Sequence, residues 1–298
     1  MHAKGDKNIK KIRKMKPGFG DLPAGYDAYE NSKIVILPVP YDGTATWIKG
    51  ADKGPAAIVE ASWNMYLYDT ETDSEVYKRG IYTDAPVRVK KSPELMIDAV
   101  RERVAGHIRA GKFVVTLGGE HSVSIGAVRA HARFHDNICV LQLDAHADLQ
   151  DEFNGSRYNH ACTLARVRES CPIVQVGVRS MDAAERKAAE RGRIFYADEI
   201  ATGGSWMGKA IEQLSEAVYI TVDVDVFDIS IMPATGTPEP GGLLWYDVLD
   251  LLRKVAGTKK IVGFDVVELC PNEFSKPYDF TAAKLVYKML SYIFKENR

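Results

Sequence analysis

From Lys33 onward the chain alternates short β-branched apolar runs with stretches whose apolar residues recur at three-to-four spacing. The runs lie at 34–37, 113–117, 138–143, 173–176, 217–222 and 260–266. Near-continuous apolar strands are buried on both faces, which implies a parallel sheet covered by helices. Segments 93–111 and 244–256 carry the amphipathic helical pattern. Repeated βα units of this kind predict an α/β protein, a three-layer α/β/α fold around a mainly parallel sheet. No internal repeat, low-complexity tract or long Pro/Gly-rich linker interrupts the pattern, so residues 20–298 read as one domain.

Residues 1–19 read as a basic N-terminal arm, with Lys4, Lys7, Lys10, Lys11, Arg13, Lys14 and Lys16 and no apolar stretch of the kind a secretory leader needs. The whole chain is 46% hydrophobic and 27% charged, the composition of a globular protein with a large core. Its formal net charge of −1 gives no global field for nucleic acid or an anionic membrane, which leaves a small molecule as the expected partner. Cys139, Cys162, Cys171 and Cys270 are far apart and form no CxxC pair, as expected of a soluble protein in the reducing cytoplasm. No run is long and apolar enough for a transmembrane helix.

Chemistry enters where the strands end. The run at 138–143 leads into Asp144-Ala-His146-Ala-Asp148. In extended chain, residues two and four apart point the same way, so these three side chains share a face with small alanines between them. A polar strand edge facing water is the plain alternative, but mixed imidazole and carboxylate donors at the end of an apolar strand are what divalent cations prefer. The run at 217–222 likewise leads into Asp223-Val-Asp225, two like charges that repel unless a cation sits between them. Alone this pair is weak, since acidic strand ends are common on surfaces. A third run leads into Gly118-Gly119-Glu120-His121, where the glycines predict a sharp turn that places His121 at a strand's carboxyl end. A lone histidine is ordinarily structural. Together the six candidate ligands are too many for one ion, and an oxygen-rich set favours a pair of manganese ions over zinc.

These segments resemble, in order and spacing, the three metal-binding signatures of the ureohydrolase (arginase and agmatinase) family. The resemblance extends to Pro40-Tyr-Asp-Gly-Thr, Gly54-Pro55, Tyr158-Asn-His160, Gly177-Val-Arg-Ser, Gly236-Thr-Pro-Glu239-Pro-Gly-Gly and Val262-Gly-Phe-Asp-Val-Val-Glu268, nearly the whole chain beyond the arm. It implies an arginase-like fold and two Mn²⁺ per chain, one held by His121, Asp144, Asp148 and Asp223, the other by Asp144, His146, Asp223 and Asp225. It also implies catalytic roles for His160, Glu268 and Asp148, with His160 moving protons and Glu268 holding the guanidinium. The implied reaction splits a guanidinium compound into urea and an amine. Relatives form trimers or hexamers, so a homo-oligomer is expected.

Two departures from the family pattern stand out. After Asp225 most relatives read Leu-Asp-Pro, whereas this chain has Phe227-Asp228-Ile229-Ser230 and loses the proline's fixed φ. The loop from Leu149 to His160 lacks the arginase set of small hydroxyl and amide residues and carries Asp151 and Glu152, closer to agmatinases. Asp151, Glu152 and Asp182 are therefore candidate contacts for a substrate's ammonium tail, although Asp182 is also well placed to cap a helix. Agmatine, hydrolysed to putrescine, is the expected substrate. The alternatives are arginine, guanidinobutyrate or N1-aminopropylagmatine, or a non-catalytic metal-binding regulator on the same fold.

Overall fold

The apolar runs form an eight-stranded sheet in the computed structural model, which describes residues 18–89, 92–272 and 274–295. The strands are β1 (Ile34–Val39), β2 (Ile81–Thr83), β3 (Phe113–Gly118), β4 (Ile138–Leu143), β5 (Ile173–Val178), β6 (Ile194–Tyr196), β7 (Ala217–Asp223) and β8 (Lys260–Val267). Every pairing is parallel, and the order across the sheet is β2-β1-β3-β8-β7-β4-β5-β6. The strands absent from the sequence reading, β2 and β6, are the three-residue edges, too short to carry a periodicity.

The helices are α1 (Gly54–Ser62), α2 (Pro93–Arg109), α3 (Val123–Ala132), α4 (Thr163–Val167), α5 (Ala183–Ala188), α6 (Ala197–Ala201), α7 (Trp206–Glu212), α8 (Trp245–Thr258) and α9 (Pro277–Ile293). The hydroxyl of Ser92 caps α2 by accepting from Leu95 N at 3.3 Å, and Pro93 suits the first turn, whose N–H groups have no helical partner. α1, α8 and α9 pack together on one face of the sheet and α2, α3 and α4 on the other, giving the expected three layers. Strand alternation divides the core accordingly. Ile34, Ile36, Cys139, Leu141 and Leu143 face the first layer, while Leu37, Val39, Ile138 and Val140 face the second. Each fully buried Leu or Ile contributes about 2 kcal/mol of apolar transfer, so strands buried on both sides make a stiff platform.

The boundary of the basic arm shifts. Phe19, assigned to the arm from sequence, is 1% exposed and packs in the core with Leu22 and Ile58, so the folded body includes it. The arm's basic residues lie outside the described residues. All four cysteines are free, three of them buried. No helix among the described residues is long and apolar enough to cross a membrane.

The glycines at the end of β3 serve a different purpose from the one expected. Neither Gly118 nor Gly119 has a positive φ, so the turn itself does not demand glycine. Space does. A Cβ on Gly119 would lie 2.0 Å from Tyr41 O and 2.7 Å from Tyr41 C, and this is backbone that cannot swing away. Gly119→Ala should therefore destabilise the fold by roughly 3 kcal/mol, the upper range for an overpacked site. A thermal unfolding midpoint matching that of the parent protein would refute this.

Candidate metal centre

The sheet order brings the motifs together. β3, β8, β7 and β4 are consecutive neighbours, so His121 after β3, Glu268 after β8, Asp223 at the end of β7 and Asp144 after β4 emerge side by side at the carboxyl edge. Strand alternation does not align the ligands as the sequence reading expected, because the strands stop too early. β4 ends at Leu143, and Val224–Val226 form a 3-10 turn directly after Asp223. Turn chemistry aims the carboxylates instead. Asp144 Oδ1 accepts from His146 N at 2.6 Å, Asp223 Oδ1 from Asp225 N at 2.9 Å, and Asp225 Oδ1 from Ala145 N at 2.9 Å, which laces the ends of β4 and β7 together. Asp148 is held in the left-handed region at φ 52° and Glu268 at φ 65°, costly conformations for non-glycine residues that concentrate at functional sites.

Two overlapping groups of donors result. His121 Nδ1 lies 3.0 Å from Asp144 Oδ2, 3.1 Å from Asp148 Oδ2 and 3.5 Å from Asp223 Oδ2. His146 Nδ1 lies 2.9 Å from Asp225 Oδ2 and 3.6 Å from Asp144 Oδ1. His121, Asp144 and Asp148 thus have the closeness of a cation site, as do Asp144, His146 and Asp225, with Asp144 common to both. All four carboxylates are buried.

The cluster fits divalent cations. His121 Nδ1 and Asp225 Oδ2 are enclosed without a hydrogen-bond partner, which is costly for protein groups alone and natural for metal donors. The protonation tendencies agree. Burial and the charges of Asp225, Asp144 and Glu268 push Asp223 well above the carboxylate range. Burial opposes the charged form of His146, yet Asp225 and Asp144 push it up to about 12, and Asp144 and Asp148 raise His121 in the same way against burial. A buried cluster with these tendencies is one that cations would bind by displacing protons.

A buried polar row underlies the cluster. Thr116, Asp265, Thr221, Gln142 and Gln175 are paired at one register across β3, β8, β7, β4 and β5, each 1% exposed or less. Thr221 Oγ1 lies 2.9 Å from His121 Nε2 and donates to Asp265 Oδ1 at 2.6 Å, while Tyr219 OH donates to Asp265 Oδ2 at 2.7 Å. Gln142 Nε2 donates to Asp144 Oδ2 at 2.7 Å, and Gln175 holds Gln142 in turn. With its Nε2–H donated to Thr221, His121 presents its Nδ1 lone pair to the cluster. No role was read for these residues from sequence, although a polar residue within five of the six apolar runs was a readable signal.

His160 and Glu268 stand beside the cluster. His160 Nδ1 is 3.5 Å from Glu268 Oε1, and its Nε2 is 3.2 Å from Thr46 Oγ1. Burial alone would lower its pKa, but the hydrogen bond and charge of Glu268, with Asp148 and Glu120, raise it to about 9. Glu268 Oε1 accepts from His121 N at 2.8 Å. Glu120, also passed over, is fully buried and accepts from the Thr44 hydroxyl at 2.8 Å, and Thr44 Oγ1 accepts from His160 N at 2.9 Å, seating the histidine's backbone.

The candidate tail contacts fare differently. Asp151 is exposed and pairs with Arg157 at 3.0 Å and with Arg166. Asp182 Oδ1 accepts from Ala184 N and Glu185 N, both at 2.7 Å, as the N-cap of α5. Glu152 is exposed on the same loop as Asp151. At the departure after Asp225, Asp228 replaces the proline's constraint by hydrogen bonding: Oδ1 accepts from Ser230 N at 3.0 Å and Oδ2 from Gly241 N at 2.9 Å. The Ser230 hydroxyl and these N–H groups hold its carboxyl down to about 2.

Comparison with known proteins agrees with this geometry. A family model described as the arginase family matches residues 32–291. The N(1)-aminopropylagmatine ureohydrolase of Synechocystis sp. is 39% identical over 276 residues, covering 89% of this chain and 90% of its own length. Its counterpart from Thermus thermophilus is 42% identical over 274 residues, covering 90% and 92%. The solved structure of the agmatine ureohydrolase of Thermoplasma volcanium matches with a TM-score of 0.82 at 29% identity, over 90% of this chain and 92% of that one.

Proposed function

The chain belongs to the arginase family of ureohydrolases, and from that premise we propose that it is a binuclear manganese enzyme releasing urea from an amine-tailed guanidine. The observation that carries this reading is the pair of overlapping donor groups sharing Asp144, with His160 and Glu268 alongside. In it, His121, Asp144, Asp148 and Asp223 hold one ion and Asp144, His146, Asp223 and Asp225 the other. When bound, the ions supply the charge that lets water act as a nucleophile near neutral pH.

The chain's own groups orient and protonate. Glu268 Oε1 is occupied by His121 N, while Oε2 faces Gly236, where an added Cβ would lie 3.6 Å away. In this reading Glu268 is the acceptor for the substrate's guanidinium. His160, whose pKa the Glu268 carboxylate raises to about 9 against burial, in the same reading gives a proton to the departing amine. Buried walls around the cluster keep bulk water from competing with these contacts.

On substrate, the relatives named N(1)-aminopropylagmatine ureohydrolase favour the aminopropyl-extended guanidine, with agmatine itself second. The enzyme is taken to be a cytoplasmic homo-oligomer. Urea release with added manganese should be at least about tenfold more efficient on N1-aminopropylagmatine or agmatine than on arginine or guanidinobutyrate, whose tails carry a carboxylate. An arginine value equal to or above both amines would defeat the substrate assignment. No urea from any of the four would favour the regulatory alternative.

A further inference from the structure

The rim of the site carries one carboxylate that neither the ligand cluster nor the guanidinium pocket uses. The side chain of Glu239 is 36% exposed, and its Oε1 lies 4.0 Å from His146 Nε2, too far for a hydrogen bond. Its backbone is pinned from several sides. Arg179 donates to Glu239 O at 2.8 Å and Pro240 O at 3.0 Å, and also to Asp225 O at 2.7 Å, so one guanidinium ties this loop to a candidate ligand. Asp228 holds Gly241 N and Gly242 N, and Gly236 O accepts from Ile48 N at 3.4 Å. The loop therefore starts beside Glu268 and ends over His146, presenting a fixed main chain with one acid.

Three residues separate Gly236, beside Glu268, from Glu239, beside His146, at most about 11 Å of chain, so the acid stands within range of the tail of a guanidine held at Glu268. Asp151, expected to meet that amine, is neutralised by Arg157 and Arg166. Resting on the ureohydrolase reading, we propose that Glu239 is the specificity residue for the substrate's tail, pairing with the first ammonium beyond the guanidinium. The Glu239 side chain is only 36% exposed, so the pair is only partly screened, and a carboxylate tail meets like charge there. A competing role is imidazole orientation: Glu239 would accept from His146 Nε2–H and tune metal binding instead.

Glu239→Gln separates the two. The manganese-loaded parent and variant are compared on agmatine and on n-butylguanidine, which has the same guanidinium and four carbons but a methyl in place of the amine, and manganese per chain is measured for both. Loss of one charge-assisted pair lowers the agmatine-to-butylguanidine ratio of kcat/KM by about 30-fold. Manganese content stays at the parent's level. An unchanged ratio overturns the proposal, whether both substrates slow together with manganese loss, as an imidazole-orienting role requires, or neither slows. If the parent releases urea from neither agmatine, N1-aminopropylagmatine nor butylguanidine, the ureohydrolase reading itself falls, and the inference with it.

Discussion

Asp144→Ala should abolish urea release and strip manganese from the protein. Asp144 is the residue the two donor groups share, with Oδ2 3.0 Å from His121 Nδ1 and Oδ1 3.6 Å from His146 Nδ1. It also accepts from Gln142 Nε2 and His146 N, so its removal loosens the aim of its neighbours as well as subtracting a ligand. Asp223, Asp225 and Asp148 would then crowd the remaining charge, a buried like-charge cluster without its full complement of cations. Turnover should fall on the order of 10³-fold or more, the scale of losing a principal electrostatic group. Elemental analysis of the purified variant checks the cause, and Asp223→Ala should behave alike. Two manganese ions per chain with near-parental turnover in either variant would disprove the ligand assignment.

His160→Phe should leave manganese in place and slow turnover by ~10² to 10⁴-fold, the usual contribution of a positioned acid or base. The reason is directional: the two ring nitrogens face Glu268 and Thr46, not the ligand cluster. The loop need not move, because His160 N is held by Thr44 Oγ1 and Asn159 Oδ1 caps the turn through Ala161 N. A fall in kcat with intact metal content and a near-parental melting temperature is the expected pattern. Metal loss or full activity in the variant would remove the proton-transfer role.

Much of this was legible before folding because it is local. Six of the eight strands and the layered class follow from runs of apolar residues, and the two strands missed are three-residue edges whose pairing, not pattern, makes them strands. The six candidate ligands were readable because imidazole and carboxylate types stand at strand ends. The reason given for their convergence was not correct: alternation stops at Leu143 and Asp223, and turns with the left-handed Asp148 do the aiming.

The sequence by itself determined which donor types exist, their order and the kind of sheet that carries them, since these depend on neighbours along the chain. Only the tertiary structure decided who meets whom. β8 and β7 insert between β3 and β4, bringing Glu268 onto the backbone of His121 across 147 positions and lining up Thr116, Asp265, Thr221, Gln142 and Gln175 in one buried row. It gave Asp151 to two arginines, spent Asp182 on a helix cap and left Glu239 at the rim. A side chain's partners follow from strand order, register and burial, and those are settled by packing between segments far apart in the chain, which a local pattern does not encode.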